Sequence, residues 1–498
     1  MAKEILINVE AREKRVAVTQ DGRLDEFFVE RPEEKTIVGN IYKGKIDAVI
    51  PSIGGAFVDI GLPKKGFLYI SEIESYFDSL DGEEFNSCGI AVPKPDKGKE
   101  AKATILNSIK KGQEILVQVV KESFGTKGPR LTCHVGIAGR YLVLMPQERQ
   151  IGVSRRIDDE DERKRLKQTL SELKFSKDVG FIVRTAASGK TKQEIIRDAA
   201  FLYKLWKRLE RAIRRQKAPA LSYEEYDLTL RMIRDSFTDD VERLIVDSKP
   251  EYYRIQRFMK TFMRYLSRKV EFYEGQDLFL EKNIEKQISQ TFESKVYLKS
   301  KAYLIIEPTE GLVVIDVNSG GYKKNMVQEE AAFKINCEAA IEAIHQLKLR
   351  DLGGIIVIDF IDMEKEGHRR EVFNVLRQEL NKDKAKYDIL GISKFGLVEM
   401  TRERVHNTVQ TLALQPCSYC QGRGKVKSPL TMSITALKEV KRYLHEKQSK
   451  EVTVTLHPLV AEEVLKDKES VRMTERRFRT KINIVSNPAF HIENVTIV

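Results

Sequence analysis

Cysteine is scarce in this chain: five thiols in 498 residues cannot frame a disulfide-stapled fold, and a reducing cytoplasm is the expected location. Long apolar runs are also missing. None approaches the roughly 18 residues that a membrane-spanning helix needs, so no membrane span is expected. The opening MAKEILINVEAREKRV lacks the apolar core of a signal peptide. The seven histidines form no cluster in sequence, which leaves a metal-independent acid–base pair without obvious members. ASGKT, ending at Thr191, invites comparison with a phosphate-binding P-loop, but that motif needs glycine where Arg184 stands.

What is present describes a folded protein, with 41% hydrophobic and 32% charged residues. The length suggests about three to four cores. A formal charge of +12 and a pI near 9.1 favour a polyanionic partner, although basic proteins without one are common.

Residues 1–35 read as short alternating strands with Asp21-Gly22 as a hairpin turn. From Gly39 onward many short strands separated by glycine turns predict a small five-stranded barrel, interrupted by a polar insertion from Asp78 to Lys102. Phe57 and Phe67 lie on its strand segments amid Tyr42, Lys43, Lys45, Lys64, Lys65 and Lys127. Aromatic faces for bases and cations for phosphates suit single-stranded nucleic acid, while the same rings would serve equally as core. Farther on, a strand ends in Arg184-Thr185, near Arg155-Arg156. A guanidinium beside a hydroxyl fits a terminal phosphate, and a surface ion pair fits as well. Helices are expected over Glu194–Lys217, Lys249–Val270 and Val327–Leu349.

Two apolar strands carry the chemistry. LVVIDVNSGGY places Asp316 and Asn318 on one face, and GGIIVIDFIDM delivers Asp359 near its end. The strand, helix, strand order predicts an α/β unit with both aspartates at neighbouring strand ends. Such hard oxygen donors suit Mg²⁺, with a structural salt bridge as the plain alternative. Cys417-Ser-Tyr-Cys420-Gln-Gly-Arg-Gly reads as half of a zinc site, because structural zinc takes four ligands and no second CxxC exists. Cys88, Cys133 and Cys337 are isolated in sequence, so a Zn²⁺ site shared between two chains, each giving Cys417 and Cys420, is the simplest completion. A thioredoxin-like redox pair is the competing reading, but it requires a strand-to-helix turn.

NIYKGKI, GGAFVDIG, VRTAA, VIDVNSG, LRDLGGIIVIDFIDM, FGLVEMTR and CSYCQGRG occur here in the order found in the ribonuclease E/G family, which the chain resembles over nearly its whole length. The resemblance implies an α+β and α/β multidomain fold. Its parts would be an RNase H-like subdomain (residues 1–38 and 229–292), an inserted OB-type RNA-binding barrel (39–132) and a 5′-monophosphate sensor (133–228). A DNase I-like catalytic region (293–413), a zinc link (414–427) and a small C-terminal α/β domain (428–498) would follow. It further implies a Mg²⁺-dependent endoribonuclease that cuts single-stranded RNA, AU-rich by preference, in RNA processing and mRNA decay. The assembly would be a homodimer or a tetramer built from such dimers. Carried over by motif, Asp316 and Asp359 match the magnesium-binding carboxylates and Asn318 their orienting amide. Val143, Arg184 and Thr185 match the phosphate sensor, Phe57, Phe67 and Lys127 the RNA contacts, and Cys417 and Cys420 the zinc ligands. With no long arm after Val498, the chain looks more like the ribonuclease G branch. A non-catalytic RNA-binding scaffold is the alternative.

Overall fold

The computed structural model describes residues 2–69, 72, 110–123, 127–146, 148, 150–157, 159–173, 179–321, 328–403 and 413–498. The insertion at 78–102 lies outside them. The chain divides into two units, Met1–Val409 and Gln410–Val498.

In the first unit, strands distant in sequence share one sheet. Its order is Val270–Phe272, Val241–Val246, Lys3–Val9, Lys14–Gln20, Arg23–Glu30, so residues 3–30 pair directly with 241–272. Alternation supplies both faces: Ile5, Ile7, Val16 and Val18 pack with Ile233, Ile255 and Met259, while Leu6, Ala17 and Phe27 pack with Leu278, Phe279 and Ile284. The helix expected over Lys249–Val270 stops at Phe262. Met263 leaves helical geometry and a 3-10 segment, Arg264–Lys269, turns the chain so that Val270–Phe272 can lie parallel to Val241–Val246. Tertiary pairing overrides the local period there.

Ile41–Ile50, Gly55–Asp59, Gly66–Tyr69, Arg130–Thr132 and Glu114–Lys121 follow one another around a closed barrel, because the last of these pairs back onto the first. Ala220–Tyr223 adds to the edge of Ile41–Ile50. A four-stranded sheet, Ile151–Val153, Gly180–Val183, Leu142–Met145 and Ile137–Ala138 in order, follows the barrel. The helix Lys192–Arg215 packs on it, its start fixed by a capping box between Thr191 and Glu194.

The fourth sheet of the unit has six strands in the order Lys295–Tyr297, Tyr303–Pro308, Leu312–Asn318, Gly354–Asp359, Leu397–Arg402, Tyr387–Ile389. Leu304, Ile306, Val313, Ile315, Ile356 and Ile358 point to one side, where they meet Ile335, Ala339, Val372 and Leu376 of the helices Gln328–Leu349 and Glu366–Leu380. At about 25 cal/mol per Å² of apolar surface, each fully buried Ile or Leu there contributes roughly 1.5–3 kcal/mol. The opposite side of this sheet carries the polar residues.

The unit Gln410–Val498 has its own core, built by the helix Pro429–Lys447 over the three-stranded sheet Lys481–Ser486, Glu451–Leu456, Thr496–Ile497. The cysteine turn groups with it. None of the helices among the described residues is long and apolar enough to cross a membrane.

Candidate functional site

Strand period and register together assemble the acidic centre. Val313, Ile315 and Val317 are buried under the helices, so Asp316 and Asn318 must emerge on the other face. Gly354–Asp359 lies parallel to Leu312–Asn318 with Asp359 the direct partner of Asp316. Two carboxylates thus stand on adjacent strands, on one face, at the strand ends. The Asn318 amide donates to Oδ2 of Asp316 at 2.8 Å, which fixes that carboxylate. Asp359 is exposed, yet its carboxyl is pushed above the usual range by partial loss of water and then by the nearby charges of Asp316 and Asp362. Among the described residues, no Lys, Arg or His forms a salt bridge with Asp316 or Asp359. The plain structural alternative is not formed with any described residue. Two adjacent carboxylates, one of them held by an amide, are a fit donor set for a divalent cation. Asp362 was missed in the sequence reading because the strand ends at Asp359 and period two no longer places it.

Arg184 and Thr185 follow the strand Gly180–Val183, and Val143 pairs with Ile182 on the adjacent strand. Nη1 of Arg184 donates to the Gly139 carbonyl at 2.7 Å and Nη2 meets Oδ1 of Asp235 at 2.6 Å. Asp235 also accepts from Arg234, and these two cations hold its carboxyl below the ordinary range despite burial. The Thr185 hydroxyl is exposed and lies 3.3 Å from that of Ser154, immediately before Arg155-Arg156. The Arg184 guanidinium is thus oriented by the protein and is followed in sequence by an exposed hydroxyl, a pair of groups suited to a phosphate.

On the barrel, Ala56, Val58 and Leu68 fill the interior, while Phe57 and Phe67 are half-buried on the outer face as direct cross-strand partners. Their rings meet edge to face at 5.4 Å, and Phe67 continues to Tyr69 at 4.8 Å, with the Arg130 guanidinium 4.7 Å over the Tyr69 ring. Gly55 is required beneath this ladder, since a Cβ there would run into the Phe67 ring. Lys127 is exposed on the adjoining segment, where Pro129 accepts from the Phe67 amide at 2.8 Å. Tyr69 and Arg130 were not singled out from sequence, although the period-two spacing from Phe67 to Tyr69 was readable.

The cysteine turn is shaped by left-handed backbone at Gln421, Gly422 and Gly424. The Gly424 amide donates to Sγ of Cys420 at 3.3 Å, and amides of Cys420 and Tyr419 draw the Cys417 thiol below its ordinary pKa. This shift favours the Cys417 thiolate, the form that ligates a metal. Among the described residues no group of three or more His, Cys, Asp or Glu side chains is disposed to hold a metal, so the turn presents two thiols without a third such side chain beside them. The helix Pro429–Lys447 begins nine residues after Cys420, not at the cysteines, unlike the strand-to-helix position that a redox CxxC occupies. His406 lies outside the described residues.

Comparison with known proteins gives three successive family matches. The sequence profile described as Ribonuclease E/G family matches residues 136–405, the S1 RNA binding domain matches 35–134, and an RNase E/G thioredoxin-like domain matches 416–498. Ribonuclease G of Escherichia coli (strain K12) is 39% identical over 95% of this chain and 94% of its own length. Ribonuclease G of Haemophilus influenzae is 39% identical over 94% and 92% respectively. Ribonuclease E of Escherichia coli (strain K12) is 36% identical over 92% of this chain, which spans 42% of that larger protein.

Proposed function

The chain belongs to the ribonuclease E/G family and is an endoribonuclease with an S1-type RNA-binding barrel, and we propose that it cuts single-stranded RNA with Mg²⁺ held by Asp316 and Asp359. One observation carries this reading: the two carboxylates are register partners on adjacent parallel strands, and Asn318 fixes one of them. Mg²⁺ bound there would supply an activated water and stabilise charge on the phosphodiester. Asp316 and Asp359 provide the oxygen donors, and Asn318 keeps Asp316 turned toward its partner. Attack of water at phosphorus, with the P–O3′ bond breaking and the departing 3′ oxygen taking up a proton, would give 5′-phosphate and 3′-hydroxyl ends. The sheet uniting residues 3–30 with 241–272 supports an RNase H-like subdomain in two parts, and the aspartate sheet supports the DNase I-like assignment. Work in RNA processing and mRNA decay, in the cytoplasm and on AU-rich single strands, is part of the same reading. A pure scaffold would have no use for two carboxylates paired on adjacent strands. Cleavage of a short 5′-phosphorylated RNA with and without Mg²⁺ tests the proposal, and equal cleavage in both would overturn it.

Arg184, Thr185 and the backbone at Val143 are proposed to receive a 5′-monophosphate. RNAs bearing that group should be cut faster than the same RNAs with a 5′-hydroxyl, and Arg184→Ala should erase the difference. Asp235→Asn, which leaves the guanidinium less firmly held, should reduce it. A wild type that cuts both substrates at one rate would reject the sensor.

Phe57 and Phe67 are proposed to stack on bases, with Lys127 beside them for phosphate. Phe57→Ala should weaken single-strand binding by about 1–3 kcal/mol in an anisotropy titration. Because the ring is on the outer face, the melting temperature should change little. A large drop in melting temperature without loss of affinity per folded molecule would mark the ring as structural.

A further inference from the structure

The face that carries Asp316 continues past it onto two further strands. Lys295 pairs with Ile305 and Ile305 with Asp316, so Lys295, Ile305, Asp316 and Asp359 form one transverse row. Tyr297, Tyr303 and Asn318 form the next row. Directly opposed residues share a face, and the buried neighbours Leu304 and Ile306 point to the helix side, so Lys295, Tyr297 and Tyr303 stand on the side of the carboxylates. At a strand spacing of roughly 4.8 Å, the strand Lys295–Tyr297 lies about 10 Å from that of Asp316.

The side chains are arranged in a way that a solvated edge does not require. The Lys295 ammonium sits 3.7 Å from the centre of the Tyr303 ring and 5.0 Å from that of Tyr297. Among the described residues it makes no salt bridge, so two aromatic faces hold a cation that no carboxylate neutralises. Tyr297 is 68% exposed, which leaves much of its ring free. Asp316 and Asp359, with Asp362 close enough to act on Asp359, bring negative charge to this face, and a polyanion approaching it needs positive charge close by. A free aromatic face and an unpaired ammonium beside the carboxylates are the two contacts that single-stranded nucleic acid takes.

We propose that Lys295, Tyr297 and Tyr303 form a nucleotide platform for the RNA strand being cut. Tyr297 stacks on a base near the scissile phosphate, Lys295 pairs with a backbone phosphate, and Tyr303 is the positioning residue that holds the ammonium. This rests on the endoribonuclease reading of Asp316 and Asp359, and adds a substrate contact separate from the barrel and from the 5′-phosphate site.

The test uses the full chain and a short single-stranded RNA oligomer. Tyr297→Ala should weaken binding and raise KM by roughly 5- to 150-fold with kcat little changed, the range that loss of one stacked base gives, and Tyr297→Phe should restore both. Lys295→Ala should lower the slope of log affinity against log salt by about 0.7, the loss of one phosphate contact on a single strand. With Asp316→Asn to prevent cutting, a photoreactive base next to the cleavage position should crosslink to Tyr297. Unchanged KM and salt slope, with Asp316→Asn still abolishing cleavage, would overturn the platform while leaving the catalytic assignment standing. Full cleavage by Asp316→Asn would instead remove the reading on which it rests. A loss of mass by light scattering in Tyr297→Ala, with affinity per subunit unchanged, would show a contact between chain copies and would also overturn it.

Discussion

Asp316→Asn and Asp359→Asn should each abolish cleavage in Mg²⁺ while leaving RNA binding close to wild type. Each removes a charged ligand from a two-carboxylate set, and loss of a single preorganised electrostatic contact in an active site costs about 10²–10³ in rate. Removing half the anionic donors should cost at least that. Asn318→Ala, which frees Asp316 but leaves its charge, should fall in the milder range of about 10–100-fold expected when an outer partner of a metal ligand is lost. The proposed RNA contacts on the barrel and at Arg184 lie on other sheets, so affinity should persist. Stability gives an independent readout. The Asp359 carboxyl is raised in the folded state, so between the usual carboxylate pKa and its raised value the folded chain holds more protons than the unfolded one. Stability without metal therefore falls as pH rises through that window. Asp359→Asn should lose this fall, and Mg²⁺ should raise the melting temperature of the wild type more than that of the variant. Cleavage at the wild-type rate by either aspartate variant would show that the active site is elsewhere.

The aspartate pair was legible because period two is unforgiving: once Val313, Ile315 and Val317 are assigned to a core, Asp316 and Asn318 have one face left. Register was less legible, and the partnership of Asp316 with Asp359 depends on how the helix Gln328–Leu349 returns the chain. For the barrel, alternation separates Phe57 from Ala56 and Val58 but does not say which set is inside. Smallness at Gly55, which seats the Phe67 ring, is the clue that the aromatics lie outside. The hold of Asp235 on Arg184 joins residues far apart in sequence and had no local signature. The same is true of Asp362, which acts on Asp359 through space after the strand has ended. The helix over Lys249–Val270 was overextended because an apolar period continues through Leu266, and only the parallel strand beyond it shows why the chain must turn.

Cys417→Ser combined with Cys420→Ser should release Zn²⁺ and shift a dimer toward monomer while each chain keeps its fold. The turn offers two thiols and, among the described residues, no third ligand, so a tetrahedral site is completed most simply by the same pair from a second chain. The surrounding unit does not depend on the metal for its core. Met432, Ala436 and Val440 of the helix Pro429–Lys447 pack on Val452 and Val454, and the turn is fastened to the C-terminal segment by the Arg423–Glu493 pair at 2.5 Å. That pair and the Lys427 amide pull the Glu493 carboxyl down to about 2, so the fastening persists at any ordinary working pH. Structural zinc contributes of order 10–16 kcal/mol of binding free energy in small peptides, and a shared ion places that free energy in the association equilibrium. Its loss should therefore appear as a lower mass by light scattering at dilute protein, unless apolar contacts also hold the pair. Metal analysis gives the complementary number: four thiolates per ion and two per chain require about half a zinc per chain in the wild type and none in the double variant. One zinc per chain, or a monomer that retains zinc, would overturn the shared site and require ligands from within a single chain.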